Sequence, residues 1–286
     1  MNDTPRFGTA GLADSYTVKK FDPAAIAAYT AGFGLTAFEY QCGRGVRLAH
    51  DKAAALGAAC AERDIALSVH APYYISMSSL EEDKRLHSID YLLQSCALVK
   101  ALGGRRVIFH SGSCGKQSRE AALEKALDTM RRAVEALDEA GFADMTLCPE
   151  TMGKINQLGD LSEVIALCRI DERLLPTVDF GHLNARTHGG LGCEEAIEKV
   201  FEEIENGLGR DRMQRIHSHF SKIEYSKGGE VRHLTFVDEE FGPSFEEVLN
   251  VTVRKNAAPV FICESAGTQA PDALLMKQYY DRIRSK

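Results

Sequence analysis

Eight short apolar runs, each followed by a longer stretch of helical character, constrain the fold of this chain more than any other feature. The runs are RFGTAGL (6–12), TAFEYQC (36–42), IALSVHAPY (65–73), RVIFHSGS (106–113), DMTLCPET (144–151), LLPTVDFGH (174–182), MQRIHSHF (213–220) and APVFICESA (258–266). Each is bounded by polar, Gly or Pro residues and reads as a strand covered on both faces. Within 81–104, Leu86, Ile89, Leu92, Leu93, Cys96 and Val99 recur at three- and four-residue steps before Gly103-Gly104. Within 118–142, Ala122, Leu123, Ala126, Met130, Val134 and Leu137 form a second stripe that Gly141 ends. Both are amphipathic helices with glycine stops. A closing helix follows over 271–286. Strands alternating with helices fit a closed parallel barrel or an open doubly wound sheet. One barrel takes typically about 250 residues, and the chain has 286 with no low-complexity tract or Pro/Gly-rich linker, so it reads as one domain over 1–286.

Composition narrows the function classes. Hydrophobic residues at 44% and charged residues at 26% suit a globular chain rather than a disordered one. The formal charge of −7 counts against gripping nucleic acid by bulk charge. It leaves open a site made cationic by bound metal. Eight cysteines without CxxC pairs read as reduced thiols. No run near 18 apolar residues is present, and the first thirty residues lack a basic start followed by an apolar core. The expectation is a cytoplasmic protein with no membrane contact and no obligate protein partner. There is no GxGxxG, and GSCGK (112–116) is too short between its glycines for a phosphate loop.

The chemistry-bearing residues cluster by position. In a parallel barrel the active site lies at the carboxyl ends of the strands. Those ends carry Glu39, His70, His110, Glu150, Asp179 with His182, His217 with His219, and Glu264, and His233 follows in the loop after the seventh run. His50, His87 and His188 lie elsewhere. A lone histidine at a strand end is more often a hydrogen-bonded structural residue than a ligand. Several carboxylates meeting in one mouth would repel one another and resist desolvation, a cost that divalent cations remove. Imidazoles and carboxylates without paired cysteines suit zinc, manganese or iron in a catalytic role. Eight or nine donors exceed the needs of one tetrahedral ion, so two or three ions sharing bridging carboxylates are expected. Such clusters suit phosphoryl chemistry.

Six segments, in order, carry a resemblance: SVHAPYYISMSS (68–79), VIFHSGS (107–113), PETMGKINQLGDL (149–161), TVDFGHLNA (177–185), RIHSHFSK with GGEVRHLTF (215–236) and VFICESAG (260–267). Together they resemble endonuclease IV, the second family of apurinic/apyrimidinic endonucleases among the xylose isomerase-like TIM barrels, and mark a divergent member. The resemblance implies a (βα)8 barrel with three zinc ions that cleaves DNA 5′ to abasic sites in DNA repair. It implies that His70, His110 and Glu150 hold one ion. Glu150 bridges to a second, held also by Asp179, His217 and Glu264. His182, His233 and Glu230 hold the third. The catalytic carboxylates are then Glu150 and Glu264, where a water is activated for in-line attack on phosphorus. Tyr73 matches a family tyrosine near the damaged nucleotide, and Arg44 or Arg47 stands where the family has a wedge loop. Three departures stand out. The family's acid two residues before the loop histidine falls on Val231, with Glu230 one further back, so either Glu230 reaches or the third site is altered. His219 faces the same side as His217 and could replace it. The family's Asn-Asp after the strand-seven histidine is missing.

The alternative is a sugar isomerase or epimerase of the same superfamily, with one manganese or cobalt ion on Glu150, Asp179, His217 and Glu264. Two glutamates would then move the proton beside a carbonyl. That reading leaves His70, His110, His182 and His233 surplus.

Overall fold

A computed structural model describes residues 4–285, and the apolar runs form its barrel. The first three residues and Lys286 of the expected 1–286 span lie outside the described residues. The strands are β1 (Arg6–Ala10), β2 (Ala37–Gln41), β3 (Ala66–His70), β4 (Arg106–Phe109), β5 (Thr146–Pro149), β6 (Thr177–Asp179) and β7 (His217–Phe220). After a hairpin of β8 (Ile223–Ser226) and β9 (Gly229–His233) comes β10 (Val260–Cys263). The barrel order is β5-β4-β3-β2-β1-β10-β7-β6, all parallel. A parallel bridge from Glu150 to Thr177 joins its two ends, so the sheet closes.

The helices between strands are α1 (Pro23–Gly32), α2 (His50–Ala61), α3 (Glu82–Ala101), α4 (Arg119–Glu139) and α5 (Leu161–Cys168). Then come α6 (Phe180–Arg186), α7 (Glu194–Leu208), α8 (Arg210–Gln214), α9 (Phe245–Arg254) and α10 (Gln269–Arg284). Ser118 caps α4 by accepting a hydrogen bond from the Ala121 N–H at 3.2 Å, a contact whose loss typically costs about 1 kcal/mol. In α3, Ile89, Leu92, Cys96 and Val99 are buried as the period requires, whereas Leu86 at the start of the stripe is exposed. Among the described residues, no helix is long and apolar enough to cross a membrane.

Side chains alternate across each strand. Outward residues such as Val69, Phe109, Leu147, Val178, Phe220 and Phe261 fill the core beneath the helices. Inward, Ile108, Cys148 and Leu175 form a small separate apolar cluster. Much of the remaining inward face is polar, with Glu39, Ser68, His70, Glu150, Asp179, His217 and His219 all buried.

Two runs and one loop segment differ in kind from their sequence reading. The run 174–182 stops being strand at Asp179, because that residue caps α6 and the chain turns helical at Phe180. The run 213–220 opens with the end of α8, and only its last four residues pair in the sheet. The segment read as a loop after the seventh run contains the antiparallel hairpin β8–β9.

Candidate metal centre

Glu150 sits at the hub of the mouth. Its Oε2 lies 3.2 Å from Nε2 of both His70 and His110. Its Oε1 lies 2.8 Å from His219 Nδ1 and 3.5 Å from His182 Nδ1. One oxygen therefore belongs to each of two donor sets, as a bridging carboxylate requires. Burial alone would raise the Glu150 carboxyl. The charge on His219, with hydrogen bonds from His110, His182 and His219, outweighs burial and holds it well below the usual carboxylate range.

Among the described residues, four sets of donors come within ligand range of one another: three at the mouth, namely His70, His110 and Glu150; Glu150, Asp179, His219 and Glu264; and His182, Glu230 and His233; and a deeper one of Glu39, His217 and His219. The ring orientations are fixed from behind, as metal-binding imidazoles generally are. His70 Nδ1 lies 2.9 Å from the Ala71 carbonyl, His182 Nδ1 2.9 Å from the Thr151 carbonyl, and His233 Nδ1 2.8 Å from Ser221 Oγ. Each arrangement frees Nε2 for the mouth.

The Asp-x-x-His pattern works through a helix cap rather than a strand. Asp179 Oδ1 accepts the His182 N–H at 2.7 Å, so the third residue of the helix brings its imidazole back beside the capping carboxylate. Asp179 Oδ2 is buried without a hydrogen-bond partner, a leftover acceptor that suits a cation. Burial would lower the His182 imidazole, but Asp179, then Glu150 and Glu230, push it up to about 10. Burial raises the Asp179 carboxyl, and Glu264 and Glu150 add to it while His182 opposes. Such mutual strain among unpaired charges is what divalent ions relieve, and the donor set fits them.

Glu230 joins His182 and His233 because of a bulge. Ile223 pairs with His233 and Glu224 with Arg232, but Tyr225 pairs with Glu230, leaving Val231 extra. An inserted residue restores the phase of the strand, so Glu230 and His233 share a face despite three-residue spacing. Glu230 Oε2 lies 3.5 Å from His182 Nε2, and the Val231 side chain is half exposed. The hairpin tip docks on the β5–α5 loop, where Glu230 N–H donates to the Gly153 carbonyl at 3.1 Å. A Cβ at Gly153 would stand 2.6 Å from Glu230 Cβ, and one at Gly229, where φ is +87°, 2.1 Å from the Gly153 oxygen. That loop is anchored by Arg119 and Arg186, which donate to the carbonyls of Ile155, Gln157, Met152 and Lys154.

His217 is not in the second set, contrary to what the resemblance implied. It lies one layer deeper, its Nε2 3.0 Å from Glu39 Oε2. Burial pushes its imidazole down to about 4. His219, two residues on, takes the place beside Glu150 and Glu264, and against burial those carboxylates raise it well above the usual range. Glu264 lies at the rim with its side chain 16% exposed, 3.5 Å from His219 Nδ1.

A cavity of about 390 Å³ opens above these groups, lined by His70, His110, His182, Glu230, His233 and Glu264, with Gln41, Tyr73, Met152, Lys154 and Gln157. Tyr73 is exposed, its ring centroid 6.0 Å from His70 and 5.8 Å from His110. Arg44 and Arg47 are exposed in the β2–α2 loop and do not line the cavity. Gly43 of that loop accepts the Tyr73 N–H at 3.1 Å, which sets the two segments side by side. Lys154 and Gln157 escaped the sequence reading; their signal was membership of the segment after Glu150.

Residues 27–285 match the sequence profile of the xylose isomerase-like TIM barrel. An uncharacterized Methanocaldococcus jannaschii protein is 33% identical over 273 residues, 96% of each chain. The "Probable endonuclease 4" of Mycoplasma pneumoniae is 28% identical over 159 residues, 54% of this chain and 52% of that one. The chain thus matches about half the length of this endonuclease relative. A crystallised D-tagatose 3-epimerase-like protein superposes with a TM-score of 0.74 at 18% identity, covering 98% of both chains. Endonuclease IV from Thermus thermophilus does so at 0.70 and 18% identity, covering 97% of this chain and 100% of its own. At such identities these two likenesses concern the fold alone. On the profile match and the full-length relative, the chain belongs to the xylose isomerase-like TIM barrel family, as a divergent member.

Proposed function

We propose that this protein is a cytoplasmic metal-dependent phosphodiesterase that cleaves DNA at abasic sites, with two or three ions, zinc foremost, in the mouth. The observation that carries this reading is the third donor set of His182, Glu230 and His233, which a one-ion sugar enzyme would not need. Bound ions would neutralise charge on the attacking and leaving oxygens and lower the pKa of water to about 7. His70, His110 and Glu150 would hold the first, Glu150, Asp179, His219 and Glu264 the second, and His182, Glu230 and His233 the third. Glu264, at the rim, would take a proton from the attacking water. Tyr73 offers an exposed ring against an extruded sugar or base, and Lys154 a cation for a flanking phosphate. Arg44 and Arg47 would contact the duplex from the neighbouring loop.

One observation favours a second reading. Glu150, Asp179, His219 and Glu264 alone make the two-Glu, one-Asp, one-His set of a single-ion sugar epimerase. A duplex carrying one abasic site separates the two. The expected result is a nick beside that site, abolished by EDTA and by Glu264→Gln. No nick with zinc, manganese or iron, together with ketose epimerisation on one ion per chain, would overturn the proposal.

A further inference from the structure

Behind the second donor set lies a buried polar column in which Glu39 and His217 serve no ligand role. Glu39 is fully buried, as are His217 and His219. Its Oε2 accepts hydrogen bonds from Ser68 Oγ at 2.8 Å and His217 Nε2 at 3.0 Å, and its Oε1 accepts one from Gln41 Nε2 at 3.1 Å. His219 Nε2 stands 3.1 Å from the same Oε1, yet without the angle of a hydrogen bond, so that nitrogen has no hydrogen-bond partner. The opposite nitrogen, Nδ1, faces Glu150 and Glu264. Arg106 closes the column from below, donating to the Arg215 carbonyl at 2.9 Å and lying 3.5 Å from His217 Nδ1.

We infer that Glu39 is a positioning residue for His219: it holds the imidazole proton on Nε2 and so presents the Nδ1 lone pair to the second ion. This rests on the reading of Glu150, Asp179, His219 and Glu264 as ligands. Three donors pin the carboxylate before any ion arrives, so its orientation is preset. Only one small motion, rotation of the His219 ring, completes the contact. Carboxylate partners behind ligating imidazoles fix tautomer and ring orientation, and their loss typically costs about 10- to 100-fold in metal affinity. Glu39, His217 and His219 are themselves close enough to form a donor set. Glu39 is already satisfied by three hydrogen-bond donors, which favours the supporting role.

The test is retention of zinc by the purified full chain across a chelator series, read as ions per chain, beside the melting temperature of the metal-free form. Glu39→Gln is expected to lose one ion at roughly 10- to 100-fold weaker chelation than the wild type. The other ions should stay near wild type even where the metal-free melting temperature falls, because a merely structural role would weaken all the ions together. Should Glu39→Gln not fold, Ser68→Ala removes a single oxygen and should shift the same ion several-fold. An unchanged series in whichever folded variant is measured overturns the inference. So does an additional ion that disappears in His217→Gln, since Glu39 would then be a ligand. A wild type that binds no ion in the second set fails the parent reading instead, and is recognised by Asp179→Asn leaving metal content unchanged.

Discussion

At the residue scale, the third donor set is the sharpest test of the metal centre. Glu230→Gln is expected to remove one ion per chain and leave the ions on Glu150 in place, as elemental analysis would register. Gly153→Ala should do the same indirectly, because its methyl would stand 2.6 Å from Glu230 Cβ and 3.1 Å from His182 Cδ2. Equal metal content in both variants and wild type would remove His182, Glu230 and His233 from the ligand list. The strand-end positions were legible because a barrel gathers them at one mouth. Asp179 and His182 were legible as a pair, though for the wrong local reason, since a cap and not a strand brings them together. The choice between His217 and His219 was not legible. Both face inward two residues apart, and only depth along the barrel axis separates a ligand position from a support position. Sequence periodicity gives the facing of a side chain and not its height.

At the element scale, the hairpin β8–β9 decides whether the third set exists. Its strands are short and polar, IEYS and GEVRH, so no apolar run betrayed them. The extra Val231 made the spacing look wrong. Deleting Val231 would return Glu230 and the histidine to two-residue spacing on one face, and metal content should be unchanged. Inserting a second residue beside Val231 would turn Glu230 to the opposite face, and one ion per chain should be lost. Loss on deletion, or retention on insertion, would contradict the bulge as the device that sets the phase. The long helices were the most legible elements, because α3 and α4 carry sustained apolar stripes. Leu86 departed from its stripe because the buried face of α3 runs through Ser88, Ile89, Leu92, Ser95, Cys96 and Val99, and Leu86 stands on its flank.

At the scale of the whole molecule, the packed charges predict a pH profile for the metal-free protein. The His182 imidazole is pushed up to about 10 from 6.5. Its contribution to stability is full below pH 6.5 and is lost as pH rises through about 10. Glu39 and Glu150 are held well below 4.5, against burial, by the histidines around them. Their contribution is full above pH 4.5 and is lost as pH falls through their lowered values. Melting temperatures of chelated protein should therefore fall on both sides of the mildly acidic range. Metal loading should flatten the alkaline limb, because ligation requires neutral imidazole; an alkaline limb unaltered by metal would argue against ligation by His182. Thiol reactivity gives an independent check on the packing. Burial pushes Cys42, Cys96, Cys148 and Cys263 up to about 12, and Cys193 is the one exposed cysteine. One fast-reacting thiol per native chain is expected with an aromatic disulfide reagent, and eight after unfolding.

The bulge at Val231 has a bearing on how such proteins diverge. A single inserted codon in a peripheral ribbon is absorbed by a local kink and never reaches the barrel wall. Chemistry at the mouth can thus be rewired by small indels while the scaffold stays constant, and fixed-distance pattern searches will overlook the relatives in which that has happened.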